Sequence, residues 1–205
     1  MPTILDLAYP FTGRWLTQNS PANHVPSHGT ARYATSFAID FVPVNESGRT
    51  APLTFASLWR PEPAALFPGF GRPILAPVDG VIVAVHSSDP DHAALRGLPS
   101  IRYALTQGRR TAAGWRTLAG NHVMIKTSGG LVVALCHLQQ NSIRVERGQQ
   151  VEVGHVLGNC GNTGNSTEPH LHLQAMSSED VSDANAVPIT LQGSLPRNGE
   201  VIVAP

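Results

Sequence analysis

The chain has no surplus of either charge, few cysteines and no long apolar run, and each shortage removes a class of function. Fourteen basic residues balance fourteen acidic ones, and charged residues make up only 14% of the 205. That leaves no basic footprint for nucleic acid and no cationic face for an anionic membrane, so neither partner is expected. No stretch approaches the roughly 18 apolar residues of a membrane span, so the chain is not expected to be membrane-embedded. Two cysteines, Cys136 and Cys160, cannot build a disulfide framework and lack the spacing of a zinc knuckle. They read as buried thiols, with a bond between them left open. The N-terminus lacks a positive segment followed by a long apolar core, so the reading is a soluble protein, cytoplasmic unless an export segment has been removed. Solenoid repeats and low-complexity tracts are also missing.

What is present points to strands and turns. The apolar fraction is 41%, with 19 glycines and 17 prolines, a composition that favours many turns and little long helix. A chain of this length is expected to form one domain of generous size. Residues 1–27, with four prolines and an aromatic cluster at Phe11 and Trp15, read as an extended lead-in packed on the domain. Arg32 to Val42 is rich in strand formers. Pro73 to Val85 reads as two short strands around the Asp79-Gly80 turn, a hairpin signal. Asn121–Lys126 and Leu131–Leu138, separated by Ser128-Gly129-Gly130, read as a second strand pair. Short strands follow as far as Leu157, as in a small β-barrel or sandwich. The stretches 43–72 and 86–119 lose this patterning and are expected to be long loop insertions or a rim around a site.

Histidines and one aspartate supply the chemistry. In Gly158–Leu173, a turn-rich loop runs into His170-Leu171-His172-Leu173. Side chains alternate faces along a strand, so both imidazoles share one face while the leucines take the other. An exposed strand face carrying two histidines by chance is the plain alternative, so the pair needs company before it means metal. Asp40, set between Ile39 and Phe41, supplies some: a carboxylate in an apolar strand is costly to bury unless it is paired or holds a metal. It could instead face solvent. If His28, Asp40 and one histidine of the pair converge, two imidazoles and a carboxylate leave a fourth position open, the ligand count of catalytic rather than structural zinc. His86, His92, His122 and His155 sit at strand ends or turns and read as surface or satisfied core residues. The glycines at 158, 161 and 164 serve turns rather than phosphate, because no P-loop lysine follows.

The segments Ala38–Phe41, Ile74–Ile82, Gly120–Ile125, Ala134–Leu138, Val145–Val151 and Leu157–Leu173 occur in an order that resembles the lysostaphin and LytM-type zinc metallopeptidases. These are endopeptidases that cut peptide cross-links in peptidoglycan. The resemblance implies a mostly β fold, an antiparallel sheet forming a groove, within residues 28–176, with 177–205 as a C-terminal tail or strand. It implies Zn2+ as cofactor, His28, Asp40 and His172 as its ligands, and His137 and His170 as the catalytic histidines that deprotonate water and stabilise the oxyanion. The implied partner is a peptide or peptidoglycan substrate, with oligomeric state undetermined. One departure stands out. The common pattern puts the first ligand four positions before the aspartate, where this chain has Ser36, a poor zinc ligand. His28-Gly29 ahead of Phe37–Phe41 fits a variant form, and His24 competes for the role. Without a first ligand the chain would resemble degenerate members that bind peptide or cell wall, or regulate a partner. A weaker likeness of Val145–Leu157 to biotinyl or lipoyl carriers fails for want of the modifiable lysine.

Overall fold

Strands dominate, as the glycine and proline content predicts. The computed structural model describes residues 3–51 and 55–205; positions 1, 2 and 52–54, which belong to the expected lead-in and to the 43–72 insertion, lie outside the described residues. The first half carries β1 (Leu5–Leu7), β2 (Gly13–Gln18), β3 (Ile39–Pro43), β4 (Pro73–Leu75) and β5 (Gly80–His86). Three short helices follow, α1 (Leu98–Leu105), α2 (Gln107–Ala112) and α3 (Trp115–Ala119). The second half carries β6 (His122–Lys126), β7 (Val132–Cys136), β8 (Gln150–Val151), β9 (Val156–Asn159), β10 (Leu171–Met176), β11 (Ala186–Val187), β12 (Ile189–Leu191) and β13 (Val201–Ala204).

The main sheet has nine strands in the order β13-β2-β3-β10-β7-β6-β5-β8, with β11 also paired to β10. Every pairing within it is antiparallel. Two small ribbons stand beside it, a parallel β1–β12 pair and an antiparallel β4–β9 pair. The fold is therefore mostly β and built on an antiparallel sheet, as expected. No helix among the described residues is long and apolar enough to cross a membrane.

Both faces of the central strands are covered, and the period of two sorts their side chains between two clusters. Ile39, Phe41, Val123, Ile125, Val133, Leu135, Leu171 and Leu173 enter the larger core with Phe11, Trp15 and Leu157. The intervening Met124, Val132, Ala134, Cys136 and Met176 enter a smaller one on the opposite face. Phe11 stacks on Trp15 at 4.4 Å between ring centroids and meets Phe41 edge-on at 4.9 Å, so the lead-in fills the core. Its strand β2 sits inside the main sheet, between β3 and β13. Cys136 and Cys160 are free and buried, and burial pushes both thiols up.

Two local expectations are corrected. Pro73–Val85 is not a hairpin: β4 pairs with β9, whereas β5 pairs with β6 and β8. The Asp79-Gly80 turn passes the chain from one sheet to another, and Gly80 is required because a Cβ there would collide with the Lys126 carbonyl and Ile125. The 86–119 stretch is also not structureless but holds the three helices. The apolar residues of α1 do not mark a buried face, since Leu98, Ile101 and Leu105 are exposed, so no core-seeking periodicity announced it; α3 packs Trp115 and Ala119 against the smaller core.

Candidate metal and catalytic site

The site lies on the face of the sheet opposite the larger core, and strand register assembles most of it. In β10, His172 stands opposite Asp40 of β3 on one side and Cys136 of β7 on the other. Leu171 and Leu173 point into the core, which fixes the outward face for His172 and Gln174. Asp40 is 5% exposed and flanked by Ile39 and Phe41 in the core, so its carboxylate has one way to point. A buried carboxylate needs partners, and this one has several. Asn19 Nδ2 donates to Oδ2 at 2.7 Å, His28 Nε2 lies 3.0 Å from Oδ2, and His172 Nδ1 lies 2.9 Å from Oδ1.

His28 comes from the loop between β2 and β3 rather than from a strand. Ser27 Oγ donates to Thr35 O at 3.2 Å, so it accepts from His28 Nδ1 at 2.9 Å, and Nε2 is the nitrogen turned to Asp40. His24, the competing candidate, is exposed with Nδ1 3.1 Å from Pro26 O, and it does not join the cluster. One donor atom from each of His28, Asp40 and His172 lies within 4.8 Å of the others. This is the one such grouping of three or more metal-ligating side chains among the described residues. The donor set suits zinc: two imidazole nitrogens and one carboxylate, each imidazole with its outer nitrogen engaged by an oxygen and its inner nitrogen facing the common centre.

The other two histidines flank this centre. His137 follows β7 in a left-handed backbone conformation, φ 64°, that non-glycine residues seldom adopt, and such outliers gather at functional sites. Its Nδ1 donates to Thr163 O at 2.9 Å, which leaves Nε2 as the basic nitrogen. His170 Nδ1 donates to Glu168 O at 2.8 Å, with the Ser166 hydroxyl 3.0 Å away, and its Nε2 lies 4.0 Å from Asp40 Oδ1. The His137 ring centroid is 4.6 Å from that of His170 and 5.8 Å from that of His172. All five predicted site residues therefore border one groove of about 540 Å³. The glycine-rich loop works as a spacer: a Cβ on Gly161 would run into the Gln139 backbone, so only glycine lets the loop close over the strand end.

Electrostatics separates these groups. Burial alone would push the Asp40 carboxyl up, but the adjacent His28 and His172 outweigh it and hold it well below the usual carboxylate range. Burial pulls His172 down, yet the hydrogen bond and charge of Asp40, helped by Gln174, raise it above the ordinary histidine value. His137 goes the other way: burial, then the nearby His170 and His172, hold it well below that value, so its Nε2 is unprotonated at neutral pH.

Residues 90–184 match peptidase family M23. The chain carries a peptidase M23 domain. The matched stretch contains His137, His170 and His172, while His28 and Asp40 precede it. The chain is 37% identical over 78 residues to the cell division protein DipM of Caulobacter vibrioides, covering 38% of this chain and 12% of that protein. It is 32% identical over 100 residues to the peptidoglycan DD-endopeptidase ShyC of Vibrio cholerae, covering 49% of this chain and 22% of that one. The chain thus spans less than a quarter of the length of either curated relative. Among solved structures, the catalytic domain of lysostaphin from Staphylococcus simulans aligns with TM-score 0.41 and 21% identity, covering 73% of each chain.

Several residues bordering the groove were not singled out in the sequence, although 86–119 was expected as a rim. Asn19 caps Asp40 from the end of β2, and Tyr33, Tyr103, Arg110 and Trp115 form walls from the 28–37 turn and the helical segment. Gln174 was within reach of the same alternation that exposed His170 and His172, being two residues further along that face. Asn121 serves the framework, since its side chain donates to Asp89 O at 2.8 Å and Leu138 O at 3.2 Å.

Proposed function

We propose that this M23 domain is a zinc-dependent endopeptidase that hydrolyses a peptide amide bond, with the peptide cross-links of peptidoglycan as substrate. The observation that carries the reading is the convergence of His28, Asp40 and His172 on one centre, bordered by two histidines whose Nδ1 atoms are already committed to backbone carbonyls. His28 Nε2, Asp40 and His172 Nδ1 would hold the metal. When bound, zinc supplies Lewis acidity, polarising a substrate carbonyl and making water acidic enough to attack near neutral pH.

The remaining steps belong to the chain's own groups. His137, kept unprotonated by burial, takes a proton at Nε2 as water adds to the scissile carbonyl. His170, held by Glu168 O and Ser166, presents its Nε2 across from it and, carrying a proton there, donates a hydrogen bond to the developing oxyanion. The proton then passes to the leaving amine, so the two halves of the amide separate as carboxylate and amine. The open groove admits an extended peptide, and its walls, from Asn19 to Trp115, orient the bond over the histidines. Since peptidoglycan lies outside the cytoplasmic membrane, the reading places the domain's working compartment there.

A module that only binds wall or partner protein would fit best if the first histidine stood apart from the aspartate. His28 Nε2 lies 3.0 Å from Asp40, so no observation favours that alternative. Metal analysis of the purified protein and hydrolysis of glycine-rich and cross-linked wall peptides provide the test. About one zinc per chain is expected, with cleavage abolished in His172→Ala. Wild-type protein that takes up no zinc and cuts none of these peptides would overturn the proposal.

A further inference from the structure

We infer that Gln174 is a positioning residue: it fixes which nitrogen of His172 carries the lone pair and ties that choice to the loop that delivers His28. The inference rests on the zinc reading above. Gln174 is 1% exposed and lies two residues beyond His172 on the same strand face. Its carboxamide has two ends, and each has one partner. Nε2 donates to Tyr33 O at 2.9 Å, and Oε1 lies 2.9 Å from His172 Nε2.

Donor and acceptor chemistry allows one orientation of this amide. Tyr33 O is a backbone carbonyl and can only accept, so it demands the NH2 end. Oε1 must then face the imidazole, and an amide oxygen can only accept, so His172 Nε2 must bear hydrogen. Nδ1, the atom 2.9 Å from Asp40 Oδ1 and within the three-ligand cluster, is then the nitrogen whose hydrogen gives way to a metal, while Nε2 keeps its own. Replace the amide and both tautomers become open, one of which turns an N–H toward the metal.

Tyr33 itself belongs to the second half of the inference. It sits in the 32–37 turn, five residues after His28, with φ 56° and ψ 33°, and Ala34 follows at φ 59°. Two successive non-glycine residues in the left-handed region need an external hold, and one lies at each end of Tyr33. Its carbonyl accepts from Gln174, and its hydroxyl donates to Thr111 O at 3.1 Å. The same turn supplies Thr35 O to Ser27, whose hydroxyl steadies His28. One buried amide therefore sets the ring of the strand ligand and pins the turn that carries the loop ligand, a substitute for the rigidity a four-residue spacing between first ligand and aspartate would give.

Competition against a chelator of known zinc affinity, with ring 15N shifts of His172 read in the zinc-loaded protein, tests this on full-length wild type, Gln174→Glu and Gln174→Met. Wild type is expected to show protonated Nε2 and ligating Nδ1. Gln174→Glu keeps an acceptor against His172 and is expected to keep that ring signature, while losing the donor to Tyr33 O and so releasing backbone amide protection at 33–35. Gln174→Met removes both contacts and is expected to weaken zinc binding by roughly 10- to 100-fold, the usual effect of deleting an outer partner of a ligating histidine. Backbone amide spectra of the two variants report whether the sheet is intact. Wild-type affinity and an unchanged His172 signature in a folded Gln174→Met variant would overturn the inference while leaving the zinc reading standing. No zinc uptake by the wild type would overturn both.

Discussion

Under the proposed mechanism, histidines do three different jobs in this molecule, and substitution should separate them. Removing a ligand and removing a proton carrier have different signatures. His28→Ala should lose zinc and activity together. His137→Ala should retain zinc and lose roughly 10²- to 10⁴-fold in kcat, the range for a positioned acid–base group, with KM little changed. Steady-state kinetics alongside metal analysis would read the split; parallel loss of zinc in His137→Ala would contradict the assignment. His122 does the third job, in the wall behind the site. It is 5% exposed, its Nδ1 donates to Gly120 O at 2.7 Å, and its ring meets Trp115 edge-on at 4.6 Å. Burial, partly offset by that hydrogen bond, lowers its pKa from 6.5 to about 4. The unfolded chain therefore binds a proton at higher pH than the folded one. Stability contributed by neutral His122 is complete above pH 6.5 and declines as pH falls toward 4, by up to about 3 kcal/mol. Urea unfolding of the metal-free protein at pH 7 and 4.5 should show this loss in wild type and a smaller one in His122→Asn, whose amide can still donate to Gly120 O.

Short elements and the loops between them hold the site in register. Gly120 joins α3 to β6 at φ 60°, and a Cβ there would come within 2.5 Å of Thr163 Oγ1 and 2.6 Å of Gly164 N. Thr163 in turn supplies the carbonyl that orients His137. Gly120→Ala should destabilise by about 1–3 kcal/mol through strain and displacement, and should reduce turnover by shifting His137. Thermal melting and kinetics measure both, and an unchanged melting temperature would contradict it. Elements were legible in the sequence where one strand face carried the chemistry. His170 and His172 declared themselves through alternation, and the β6–β7 pair through its turn. Pairings between distant segments were not legible. Ile74 and Val81 look like the arms of a hairpin, but burial of Ile74 against β9 and the demand for glycine at Gly80 send the two strands to different sheets. The first helix between β5 and β6 was hidden because it buries no apolar stripe, and α3 because its buried and half-buried residues, Trp115, Leu118 and Ala119, span barely more than one turn. The turn that presents His28 was hidden because left-handed Tyr33 and Ala34 have no compositional mark.

For the molecule as a whole, the ends of the chain are working parts of the fold. β2 and β13 extend the sheet beside β3, Trp15 is wholly buried, and Asn19 reaches the Asp40 carboxylate. Trp15→Ala should cost about 3–5 kcal/mol. Removal of residues 1–18 should leave the edge of β3 unpaired and give protein that aggregates rather than a smaller active unit. Solution scattering and urea melts of the two variants would decide, and a monodisperse, fully active truncation would contradict the expectation.

The register of β10 against β3 and β7 has a further consequence, one of parity. Leu171 and Leu173 lie inside and His172 and Gln174 outside because the strand counts in twos. Gain or loss of a single residue within β10 would exchange the two sets at a stroke, sinking imidazoles into oil and lifting leucines into the groove, whereas a change of two would preserve the faces. Length variation in descendants of this chain is thereby channelled into the connections, among them the 86–119 segment, which supplies part of the groove wall while the strand beneath it stays fixed.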